Sequence, residues 1–127
     1  MQAMLEHTNY SVSDAPKTAA WMQKLFGWHV RWEGDVLDGR GYSMHVGTES
    51  HYVAIYADKA VAPAADVSQR TIGGLNHLAV VVDDLDATEA AVRAHGFETG
   101  SHADYEPGRR FYFHDHDGIQ WEVVSYD

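Results

Sequence analysis

The chain repeats itself, and the repeat limits what it can fold into. Leu5 to Val12 alternates and predicts a strand containing His7. Ser13 or Asp14 then caps a helix with Pro16 in its first turn, and Ala19, Ala20, Met22, Leu25 and Phe26 follow at helical spacing up to Gly27. Trp28 to Glu33, Gly41 to Val46 and His51 to Ala57 predict three more strands. After an alanine-rich linker from Asp58 to Thr71 the order recurs. Leu75 to Val82 predicts a strand containing His77. Asp83-Asp84 caps a helix that runs to Ala94 and stops near Gly96. Phe97 to His102, Arg109 to His114 and Ile119 to Ser125 predict the last three strands. His7 and His77 lie 70 residues apart, and Gly27 and Gly96 are each followed by an aromatic, Trp28 and Phe97. Both halves read β-α-β-β-β, a unit that cannot bury its apolar faces without a sheet packed on its helix.

Bulk properties narrow the function classes. A chain of 127 residues with a 45% hydrophobic and 22% charged composition suits an ordinary globular domain. Its formal charge of −10 argues against nucleic acid or an anionic membrane surface as partner. No apolar run approaches the roughly 18 residues of a membrane span. There is no cysteine, so neither a disulfide framework nor thiolate chemistry is available. With no signal pattern in MQAMLEHTNY, a cytoplasmic setting is expected. Nine histidines make metal chemistry worth testing.

The closing stretch RRFYFHDHDGIQWEVVSY predicts two strands joined by a turn at Asp115 to Gly118. Glu122 stands between Trp121 and Val123 in its apolar second strand, and a carboxylate there needs a compensating charge. In a β-α-β-β-β unit the first and last strands are expected neighbours, so His77 and Glu122 meet on one sheet face and His7 joins them from the other module. Two imidazoles and a carboxylate make a three-donor site for a divalent metal with open positions. Counting forward from His7 places Ala54 where the second module has Glu122.

The double pattern, closed by FYFHDHDGIQWEVV, resembles the vicinal oxygen chelate superfamily over about residues 4 to 126. The resemblance implies an α+β fold of two βαβββ modules, the glyoxalase/bleomycin-resistance/dihydroxybiphenyl-dioxygenase-like fold. It makes residues 1–127 one such domain, with module one at about 4–57, a linker at about 58–72 and module two at about 73–126. It also implies a homodimer with paired modules and one divalent metal ion per site (Fe, Mn, Zn or Ni). Each site would take His7 of one chain with His77 and Glu122 of its partner.

The resemblance implies roles for further residues. Tyr112 stands ten residues before Glu122, where family members place a substrate-contacting tyrosine, so Tyr112 and Glu122 are the catalytic candidates. Asn9, two residues after His7, joins Tyr52, Tyr112 and Arg110 as substrate-binding candidates. Arg109 and Arg110 also read as turn caps or as partners of Asp104 or Glu106. Ala54 removes the carboxylate that a glyoxalase I-like lyase draws from its first module. The reading therefore leans to extradiol dioxygenase-like chemistry, with a glyoxalase I-like lyase or a fosfomycin-type thiol transferase as alternatives and His102 as the candidate acid–base histidine. His45, His114 and His116 read as turn and surface residues. Trp32, Tyr42, Tyr52, Tyr56 and Trp121 are candidates to line a substrate cavity. A metal-free, bleomycin-type ligand-binding protein is the competing class.

Overall fold

The computed structural model describes residues 1–63, 68–105 and 108–127. Two compact units divide the chain, Met1–Pro63 and Ala64–Asp127. Unit one runs β1 (His7–Ser11), α1 (Ala15–Phe26), β2 (His29–Val36), β3 (Gly41–Gly47) and β4 (Tyr52–Asp58). Unit two runs β5 (Leu78–Val81), α2 (Leu85–His95), β6 (Thr99–Tyr105), β7 (Gly108–His114) and β8 (Gln120–Ser125). The expected β-α-β-β-β order is present in both. Within the expected linker lies one short 3-10 turn, Ser68–Arg70; residues 64–67 of that linker lie outside the described residues.

The sheets have matching strand orders, β1-β4-β3-β2 and β5-β8-β7-β6. The first strand of each unit lies parallel to the last, and the other neighbours are antiparallel. The helix makes this possible, because a parallel return needs a crossover long enough to carry the chain back along the sheet. Asp14 and Asp84 cap the helices, each accepting a backbone N–H three residues on at 3.0 Å. Gly27 and Gly96 end them in the left-handed region, with φ of 68° and 111°.

Each helix covers one face of its sheet. In unit one, Trp21 and Met22 are buried with Met44, Val46 and Ile55. In unit two, Val92 is buried with Phe111, Phe113, Trp121 and Val123. Trp121 is therefore core, not the lining of a cavity, and its indole N–H donates to Asp115 at 3.3 Å. Asp115 also accepts the backbone N–H groups of Asp117 and Ile119, which fixes the turn before β8. Burial pushes the Asp115 carboxyl up despite those hydrogen bonds. Strand alternation sends Tyr112 and Glu122 to the face opposite this core.

Candidate functional site

Glu122 lies on the helix-free face of unit two, only 9% exposed. The parallel pairing of β5 with β8 sets Ala79 opposite Glu122, and His77 lies two residues before Ala79 on that face. His77 Nε2 comes within 3.1 Å of Glu122 Oε1. On the other flank Tyr112 is the direct cross-strand partner of Glu122, and its hydroxyl donates to the same Oε1 at 2.9 Å. The His77 and Tyr112 rings meet edge-on with centroids 5.9 Å apart. Arg110, two residues before Tyr112, donates through Nη1 to Glu122 Oε2 at 3.0 Å and through Nη2 to the Gly108 carbonyl at 3.3 Å.

The buried charge thus has a protein countercharge in Arg110, where the sequence predicts compensation by a metal. Both partners are nearly closed off from solvent, with side chains 12% (Arg110) and 11% (Glu122) exposed. Arg110 therefore belongs to Glu122, not to a turn. Arg109 reaches Asp86 at 3.6 Å. Glu106 and the Asp104 side chain, the other expected partners, lie outside the described residues.

Registers of the two sheets superpose residue by residue. Unit two aligns Ala79, Glu122 and Tyr112 across β5, β8 and β7; unit one aligns Asn9, Ala54 and His45 across β1, β4 and β3. Ala54 is therefore the positional counterpart of Glu122, and His45 that of Tyr112. Two residues further along the same strands, Ser43 stands where unit two has Arg110. The carboxylate and its guanidinium are present together in one unit and absent together in the other. Ala54 and Ser43 are both small and both buried.

Unit one carries a different cluster on its corresponding face. His7 donates through Nδ1 to Glu6 Oε1 at 2.8 Å, and the Tyr52 hydroxyl donates to the same oxygen at 3.1 Å. Those bonds, that from His7 first, hold the exposed Glu6 below the usual carboxylate range. The Tyr52 ring lies near parallel to His7 and to His45, with centroids 4.8 and 4.7 Å away. The sequence reads His45 as a turn or surface residue; it is instead a half-buried member of mid-β3, placed there by its pairing with Ala54. Burial, then the charges of His7 and Arg31, hold His45 below the usual imidazole range against the opposing pull of Glu6. Asn9 is exposed on this face beside Ala54. His114 is exposed as expected, and His116 is half-buried beside Asp117 at 3.6 Å.

His102 does not serve Glu122. Its Nε2 pairs with Glu89 of α2 at 2.6 Å, on the helix-covered side of the sheet. Glu89 also accepts a hydrogen bond from Thr99 and pairs with Arg93 at 3.1 Å. Burial alone would raise the Glu89 carboxyl, but Thr99, His102 and Arg93 together hold it below its usual range.

The histidine partners bear on whether the donor set fits a metal. His77 Nδ1 faces the side-chain oxygen of Asn76 at 2.7 Å, as His7 Nδ1 faces Glu6. In both cases the residue just before the histidine holds Nδ1–H, which leaves the lone pair of a neutral ring on Nε2. Such outer partners orient metal-ligating histidines in general. For His77 that lone pair then faces a carboxylate oxygen, two acceptors that need a proton or a cation between them. A divalent ion fits this donor chemistry. Among the described residues, no set of three or more acidic or imidazole groups is gathered tightly enough to hold a metal unaided.

The chain belongs to the glyoxalase/bleomycin resistance protein/dioxygenase superfamily, whose model matches residues 4–123. Solved structures share its fold at low identity. A glyoxylase/bleomycin resistance protein/dioxygenase domain from Frankia sp. EAN1pec has a TM-score of 0.82 at 18% identity, covering 98% of each chain. The trypanothione-dependent glyoxalase I of Leishmania major has a TM-score of 0.79 at 19% identity, covering 98% of this chain and 88% of that one. A mutant of the fosfomycin resistance protein FosX from Listeria monocytogenes, complexed with Mn(II) and 1S,2S-dihydroxypropylphosphonic acid, has a TM-score of 0.73 at 20% identity, covering 98% and 93%. No curated protein sequence matches the chain.

Proposed function

We propose that this chain is a metal-dependent enzyme acting on a small substrate with two adjacent oxygens. The observation that carries the reading is Glu122, a nearly buried carboxylate on which His77, Tyr112 and Arg110 converge. His7, His77 and Glu122 are the proposed donors, and a homodimer with paired modules is the proposed assembly. A divalent ion held by these residues would supply Lewis acidity toward two adjacent substrate oxygens. Mn(II) in the FosX complex supports such an ion in this fold.

The chain's own residues divide the remaining work. Glu6 and Asn76 direct Nε2 of each histidine. Arg110 holds Glu122 Oε2 and balances its charge, so that a second positive charge is not needed to keep the carboxylate buried. The Tyr112 hydroxyl orients Oε1 and is the proposed donor to a substrate oxygen. Asn9 and Tyr52 are the proposed substrate contacts beside His7. A proton shuttle drawing one carboxylate from each unit has Glu122 but only Ala54 opposite it in the repeat. That favours dioxygenase-like ring cleavage over glyoxalase-like isomerisation. A fosfomycin-type transfer would want a free cation for the oxyanion, and Arg110 is committed to Glu122.

The test begins with elemental analysis of protein purified without chelator. Oxygen uptake on catechols is then compared with methylglyoxal–glutathione and fosfomycin–thiol assays. The reading expects stoichiometric metal and oxygen uptake that His77→Ala abolishes. Absence of metal, with no effect of His77→Ala on any ligand, would favour a metal-free binding protein instead.

A further inference from the structure

The open face of unit one holds a feature that the metal reading leaves unused. The β2–β3 register slips between Val30 and Trp32: Val30 pairs with Val46, and Trp32 pairs with His45. The extra residue is Arg31. In a regular strand Arg31 and Trp32 would point to opposite faces. A bulge removes that constraint and re-aims a side chain. Here Arg31 Cζ lies 4.4 Å from the centre of the Tyr52 ring, while the Trp32 indole sits 5.1 Å from the His45 ring, both on the face that carries His7.

The indole lies down along its own strand. A Cβ built on Gly34 would fall 2.9 Å from Trp32 Cζ2, so the absent side chain at Gly34 is what lets the ring settle there. Trp32 nevertheless remains 47% exposed, a large apolar surface. Arg31 is also exposed, and among the described residues no carboxylate lies within ion-pair distance of it. Glu6, an acid that senses its charge, is already bound by His7 and Tyr52. A set of rings with a guanidinium at its edge that lies over Tyr52 but meets no described carboxylate is complementary to one kind of molecule.

We infer that this face binds a planar ligand bearing an anionic group, an aromatic carboxylate, with its ring against Trp32 and His45 and its carboxylate on Arg31. Lying beside His7, that ligand would be the substrate of the proposed enzyme; only this last identification rests on the metal reading.

The experiment uses full-length protein stripped of metal and dialysed free of chelator, titrated by tryptophan fluorescence and calorimetry. The probes are 2-naphthoate, neutral 2-naphthol and acetate. Naphthoate is expected to bind, and acetate not to compete. Arg31→Ala should weaken naphthoate about tenfold, the scale of one lost charge-assisted hydrogen bond, and leave naphthol within about twofold. Gly34→Ala displaces only the tip of the Trp32 ring and should weaken both aromatic probes. Absence of naphthoate binding at millimolar concentration, equal competition by acetate, or affinities unmoved by Arg31→Ala and Gly34→Ala would overturn the inference. Because no metal is present, failure here leaves the metal reading standing, and failure of the metal reading leaves this result standing.

Discussion

Replacing Arg110 by methionine tests what keeps Glu122 inside the protein. The pair is 3.0 Å apart and nearly closed off from water. At an effective dielectric of about 20 the attraction is on the order of 5.5 kcal/mol, most of it cancelled by the desolvation of both ions. Removing one partner of such a pair leaves an uncompensated charge and costs about 3–5 kcal/mol. Arg110→Met should therefore lose about 3 kcal/mol or more in urea unfolding with metal removed, followed by tryptophan fluorescence. Adding Glu122→Gln on top should recover most of the loss, because the stranded charge is then gone while Tyr112 keeps an acceptor. Mn(II) at about 100 times its Kd should add about 2.7 kcal/mol wherever the carboxylate still binds it. At one fixed Mn(II) concentration the gain should be larger in Arg110→Met than in wild type, because a carboxylate without its guanidinium binds the ion more tightly. A loss under about 1 kcal/mol, or a double variant no more stable than Arg110→Met, would refute Arg110 as the countercharge.

Further outcomes follow from the same geometry. Tyr112→Phe removes a hydrogen bond to a charged acceptor, so it should cost about 1.5–3 kcal/mol in the same unfolding assay. Ala54→Glu puts a carboxylate into a buried position beside His45, where Ser43 stands in the place that Arg110 holds in unit two. It should destabilise by at least about 2 kcal/mol, and a neutral effect would show that water or Arg31, which lies over the Tyr52 ring on the same face, meets the new charge. The Glu89 carboxyl is held below its usual range, so its share of stability is present above the ordinary glutamate value of 4.5 and lost as pH falls through the lower folded value. Glu89→Gln should flatten the stability profile in that acid window and leave its shape near neutrality unchanged. Asp115 has the opposite sign: its raised folded value favours the native state at low pH and loses that share as pH rises through it. Asp115→Asn should remove that dependence, read from urea midpoints across the acid range.

Much of the fold was legible because the repeat is written in local signals. Asp14 and Asp84 at the helix starts, Gly27 and Gly96 at the ends, and period-two strands recur in step. From these the placement of His77 beside Glu122 follows by parity and strand order. Tyr112 and Arg110 also share Glu122's face by parity, two and four residues before the turn-proximal end of β7. The salt bridge is therefore within reach of the sequence by parity, although Arg110 reads equally well as a turn cap and a metal accounts for the same charge. The bulge in β2 was not legible. WHVRWE alternates on paper, and the slip that lets Arg31 and Trp32 share a face depends on pairing with β3. His45 was misjudged for a related reason: its role comes from lying opposite Ala54 in the sheet, a neighbour nine residues away. His102, the candidate acid–base histidine, pairs with Glu89 instead of facing Glu122, and a second irregularity lies beside it between Gly100 and Ala103.

The central claim is that His77 and Glu122, with His7, hold a divalent ion. The most direct test is calorimetric titration of metal-stripped protein with Mn(II), alongside His77→Ala and Glu122→Gln. The account predicts one ion per chain in wild type and at least a hundredfold weaker binding in either variant. A wild-type protein that takes up no ion, or variants that bind as tightly as wild type, would contradict it.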